Sequence, residues 1–124
     1  MAEKENVCSG GPKLIFACSG AADVGEISDR AARKLTAEGV GHMFCMAGIG
    51  GRVEPIMNKT KQASKILAID GCALDCVSKA LEAAEIDAFE QFRVTDLGLR
   101  KGKSPLTEQA VEKVVQKGRQ LLEG

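Results

Sequence analysis

Apolar residues follow two rhythms along this chain. Lys13 to Cys18 and Lys65 to Asp70 are short, nearly unbroken apolar runs bounded by turn residues. Runs of this kind suit strands buried on both faces of a sheet. Gly41 to Met46 and Phe89 to Val94 are weaker candidates of the same type. Between the runs the apolar positions recur at helical spacing. Val24, Ile27, Ala31 and Leu35 form one stripe, with Asp23 and Glu26 resembling a capping box at its start and Gly39 ending it. Gly48, Gly50 and Gly51 loosen the chain after the second run, and a short helix is expected near Pro55, with Ile56 and Met57 facing inward. Leu74, Val77, Leu81 and Ala84 mark a third helix. Leu106, Ala110, Val114 and Leu121, flanked by Val111, Val115 and Leu122, mark a last one that starts at Ser104-Pro105.

Strand and helix alternate four times with short connections, which predicts a parallel sheet with helices on both faces and right-handed crossovers. The expected fold class is α/β: one three-layer α/β/α domain, flavodoxin- or Rossmann-like, with a mostly parallel four-stranded sheet in the order 2-1-3-4. Residues 1–12 are charged and then glycine-rich and read as a mobile tail, leaving 13–124 as the domain.

Composition narrows the function. The 124 residues carry 17 basic and 17 acidic side chains, so no cationic surface excess drives nucleic-acid binding. Four phenylalanines are the only aromatic residues, too few for a base-stacking platform. The N-terminus shows no apolar leader, and the longest apolar run is far short of a membrane span, so a cytoplasmic protein is expected.

Five cysteines in such a chain point to metal binding or thiol chemistry rather than disulfides. Cys18 ends the first predicted strand, Cys45 lies near the end of the second, and Cys72 and Cys76 follow the third. In a parallel sheet all these ends share the carboxyl edge, where open α/β sheets place their sites. Neighbouring strands lie about 4.8 Å apart, so four thiols distant in sequence are expected to converge. Cys72 and Cys76 are spaced i, i+4 at a predicted helix N-terminus, which favours the thiolate, the form that ligates metal. Four thiolates suit a structural zinc ion, and iron is also compatible. The competing explanation is that these cysteines are small buried hydrophobes, natural for Cys18 and Cys45 in apolar strands. Cys8 precedes the first strand, at the opposite edge, and reads as a free surface thiol.

Ile69-Asp70-Gly71-Cys72 with Cys76 following resembles the signature of the DGC-domain family. The likeness runs from Leu14 to Pro105. It includes Phe16 to Ala22, Cys45 to Gly51 and Val94 to Gly98. It implies zinc binding through Cys18, Cys45, Cys72 and Cys76, leaves Cys8 outside the matched region, and implies no particular reaction.

Asp70, Gly71 and Asp96 are candidates for the pocket or for groups supporting the ligands, although a turn role serves Asp70 equally well and suits Asp96 better. Dipole stabilisation explains Asp75. Gly48, Gly50 and Gly51 lack the spacing of a dinucleotide fingerprint, and no phosphate loop occurs. His42 starts its strand, roughly 10 Å from Cys45, too far to join the cysteines. Lys101 and Lys103 read as a solvated basic loop.

The reading is thus a metal-binding protein of structural or metal-handling role, leaning away from an enzyme without deciding the point, whose protein partner the sequence does not name. The alternative is a thiol-dependent redox protein or enzyme with Cys18 as nucleophile. Cys18 sits between strand and helix as in low-molecular-weight phosphatases. The arginine such a Cys-x5-Arg loop requires is Val24 here, which removes the oxyanion clamp and leaves thiol–disulfide exchange.

Overall fold

The computed structural model describes residues 10–124. Strand β1 (Lys13–Ala17) leads through helix α1 (Asp23–Ala37) to the short β2 (His42–Met43). Helices α2 (Met46–Gly50) and α3 (Glu54–Lys61) precede β3 (Lys65–Asp70), and α4 (Cys76–Ala83) precedes β4 (Glu90–Arg93). A 3-10 turn (Val94–Leu97) and a loop then reach α5 (Glu108–Glu123). All strands pair in parallel, in the order β2-β1-β3-β4. The expected α/β class and strand order are therefore observed.

Strand alternation divides the interior in two. Ile15, Ala17, Leu67, Ile69 and Phe92 pack with α1 and α5, around Ile27, Leu35, Val114 and Leu122. Leu14, Phe16, Ile66 and Ala68 pack on the other face, with Ile49, Val77 and Leu81. The central strands β1 and β3 bury both faces, which is why they read as continuous apolar runs. At the N-terminal edge Lys13 and Lys65 donate to the Leu122 and Leu121 carbonyls at 2.9 and 3.0 Å. Lysines there complement the negative end of the α5 dipole and fix that helix antiparallel to the strands.

Several local expectations need correction. The N-cap of α1 is Ala22, without a side-chain bond, so Asp23 and Glu26 form no capping box. The second strand is only His42–Met43, and Cys45 is not in it. Instead, the glycine-rich segment after it coils into α2. Helix α4 starts at Cys76, so Cys72 lies in the preceding loop and the two do not stack on one helical face. Leu74 is outside the helix and 61% exposed. Helix α5 begins after the Thr107 cap, whose hydroxyl accepts the Ala110 N–H at 3.0 Å, rather than at Ser104-Pro105. Side-chain capping at Thr107 wins over the proline signal because Ser104 is engaged elsewhere, as described below. Cys8 and most of the expected tail fall outside the described residues.

Candidate cysteine site at the carboxyl edge

Each of the four cysteines follows a strand at the same edge. The Cys18 N–H still donates to the Ile69 carbonyl at 2.9 Å, so the cysteine sits one step beyond β1 with its ladder intact. Its sulfur accepts the Gly20 N–H at 3.5 Å. Cys45 follows Phe44, whose N–H donates to Ile15 at 2.8 Å. It caps α2, and its sulfur accepts the Gly48 N–H at 3.3 Å. Gly48 is needed there: a Cβ would stand 2.6 Å from the Ile56 side chain. Cys72 lies just past β3, with the Lys101 Nζ 3.6 Å from its sulfur. Cys76 opens α4 and is exposed, as is Cys45; Cys18 and Cys72 are half-buried. All four are free thiols.

Sharing an edge is not the same as sharing a face. Cys18 continues the alternation of Leu14 and Phe16 and packs on the α4 side of the sheet. Cys72 packs on the α1 and α5 side. Among the described residues, no three His, Cys, Asp or Glu side chains form a group that could hold a metal ion. The donor set itself is soft and suits a thiophilic cation, with backbone N–H groups already aimed at two sulfurs. Ligation by all four therefore requires the side chains and their loops to draw together.

The loop between Cys72 and Cys76 is fixed by carboxylates. Asp70, 1% exposed, accepts the Val77 N–H at 2.7 Å and the Ser78 hydroxyl at 2.6 Å. It also takes the Ser78 N–H at 3.4 Å and the Gln91 amide at 3.1 Å. The last residue of β3 thus holds the first turn of α4, satisfying donors that a helix N-terminus leaves open. Gly71 follows in a tight place, where a Cβ would lie 3.2 Å from Val24. Asp75, in the left-handed region at φ 56°, precedes Cys76. Arg93 fixes that conformation through two bonds of 2.7 Å, and this contact holds the Asp75 carboxyl below its ordinary value. The dipole explanation of Asp75 thus misses its main partner. Asp96 accepts the Arg93 N–H at 3.0 Å and so stiffens the strand end from which Arg93 reaches. Lys103 is exposed, and so is His42 at the start of β2.

Asp23 is a further positioning group. Its carboxylate accepts the Gly102 N–H at 2.8 Å, the Ser104 N–H at 2.9 Å and its neighbour Val24 at 2.7 Å. The bonds from Gly102 and Ser104 are the main reason its pKa lies below the usual 3.8. A depressed carboxyl pKa means that its contribution to stability is present above the unfolded value. It is lost as pH falls through the lower folded value. The Gly102 and Ser104 amide resonances are therefore expected to titrate together, with a midpoint below 3.8 and no such step in Asp23→Asn. A midpoint at or above 3.8 contradicts this grip.

A family model for the DGC domain matches residues 14–118. The "Anaerobic and virulence modulator AnvM" of Pseudomonas aeruginosa is 33% identical over 88 residues, covering 71% of this chain and 67% of that protein. No solved structure matches. No helix among the described residues is long and apolar enough to cross a membrane. The signature segment Asp70-Gly71-Cys72 lies within the matched span, at the end of β3, and this chain belongs to the DGC domain family.

Proposed function

We propose that this chain is a cytoplasmic metal-binding protein that holds zinc through Cys18, Cys45, Cys72 and Cys76, in a structural or metal-handling role. The observation that carries the reading is the placement of four free thiols from three strand ends at one edge of the sheet. Two of the sulfurs already accept backbone N–H groups, as ligating thiolates do. Asp70, Gly71 and Asp96 support the loop and strand ends from which the site is drawn. When bound, the metal would cross-link the segments that carry the cysteines, and binding would be coupled to their closure. Iron is the other metal such a donor set accommodates. The relative AnvM is named as an anaerobic and virulence modulator.

The Gly20 N–H that donates to the Cys18 sulfur favours a second reading, thiol-dependent redox chemistry at Cys18, because it stabilises the attacking thiolate. There the Cys18 thiolate would attack a disulfide sulfur of a partner, releasing one partner thiol. Cys72 or Cys45 would then displace the other, leaving an intramolecular disulfide.

Elemental analysis of anaerobically purified protein, with thiol titration before and after chelation, separates the two. The expected result is about one zinc per chain and four thiols unmasked when it is removed. Iron at that stoichiometry would move the role towards electron transfer. Metal-free protein whose five thiols all react freely overturns the metal reading and leaves exchange at Cys18.

A further inference from the structure

The loop between the 3-10 turn and α5 is unusually well built for an exposed basic segment. The Lys103 N–H donates to the Arg100 carbonyl at 3.0 Å, and the Arg100 N–H donates to the Ser104 hydroxyl at 2.7 Å. Ser104 is buried, and Asp23 clamps the loop from α1 through the Gly102 and Ser104 amides. Gly102 supplies the left-handed turn, at φ 85°. Lys101 stands at the tip of this frame, with its ammonium 3.6 Å from the Cys72 sulfur. Its backbone position is thus set by a carboxylate on another element, and its side chain reaches the cysteine edge from the side that Cys72 occupies.

We infer that Lys101 is a positioning residue of the cysteine site, supplying the countercharge that Cys72 needs when the thiolates gather around a cation. The inference rests on the metal-binding reading and adds a residue to it. Four thiolates around a dication leave net negative charge, and bringing them together from two faces of the sheet works against their mutual repulsion. A fixed ammonium beside one sulfur offsets part of that repulsion, and the charge-assisted N–H···S contact orients the ligand. Asp23 acts one step further out, by holding the loop. The solvated-loop explanation accounts for Lys103 but not for the contact between the Lys101 ammonium and the Cys72 sulfur.

The test is competition between the protein and a chromophoric chelator for zinc ion, using wild type, Lys101→Met, Lys101→Arg and Asp23→Asn. Lys101→Met is expected to lower affinity about tenfold, the lower end of what outer-shell partners contribute, with Lys101→Arg recovering most of it. Asp23→Asn should weaken binding in the same direction through the freed loop. The gap between wild type and Lys101→Met should shrink in about 1 M salt, where screening over about 3 Å removes the ammonium's effect. Lys101 is exposed, so Lys101→Met is not expected to disturb folding, and a thermal melt checks this. Equal affinities for wild type and Lys101→Met at low salt overturn the inference and leave the metal site standing. A wild-type protein that takes up no zinc overturns both.

Discussion

Replacing Asp70 with alanine is expected to cost about 3 kcal/mol of stability, since each buried donor left without a partner costs about 1–3 kcal/mol. The Val77 N–H and the Ser78 hydroxyl both bond to this carboxylate in the interior, and Ser78 is itself buried. Water cannot readily replace an acceptor that is 1% exposed. Asp70→Asn keeps one acceptor oxygen and should lose roughly half as much, because the loss scales with the number of orphaned donors. Denaturant titration of the three proteins reads this directly, as a shift in midpoint at unchanged slope. The damage should centre on the first turn of α4, so the Val77 and Ser78 amides should lose protection from hydrogen exchange before those of β3 do. A loss below about 1 kcal/mol would mean that α4 starts where it does for some other reason, such as the packing of Val77 and Leu81.

The same carboxylate shows which parts of this molecule the sequence could disclose. The central strands were legible because burial on both faces leaves an unbroken apolar run, and β1 and β3 are such runs. Alternation with helices then settled the layers and the order. Asp70 and Asp96 could be singled out because they fall at strand ends. The second strand was overread because Phe44 still pairs with β1, whereas Cys45 turns out of the sheet to cap a helix made largely of glycine and small residues. Periodicity carries no signal in a helix of five residues. The long-range grips had no signature at all. Arg93 meets Asp75 across 18 positions, and Asp23 meets Gly102 and Ser104 across 79 and 81. Sequence spacing announces only partners one helical turn or one strand step apart. The cysteines lie between these cases. Their common edge follows from topology, whereas their division between faces depends on where each strand stops.

That division makes the turn after Cys18 a sensitive place, and Gly25→Ala is expected to show it. Gly25 lies in the first turn of α1, directly against the backbone of Gly20. A Cβ added there would stand 2.7 Å from the Gly20 oxygen and 2.9 Å from its nitrogen. Neither is the end of a flexible side chain, so the turn itself has to move. Alanine offers up to about 1 kcal/mol of helix propensity in return, and less than that in a first turn. Overpacking against backbone costs about 1–3 kcal/mol, so the clash wins, and a net loss of about 2 kcal/mol is expected. The displaced Gly20 also carries the N–H that donates to the Cys18 sulfur, so the two effects are coupled. Alkylation followed site by site with mass spectrometry should show Cys18 changing its rate while Cys45 keeps its own. Gly50→Ala is the control: nothing lies within 4 Å of a Cβ there, and it should be neutral or slightly stabilising. If Gly25→Ala behaved like Gly50→Ala, the turn after Cys18 would be soft enough to yield. Cys18 would then cross towards the other thiols at little cost, and the site would close more readily than its rigid geometry suggests.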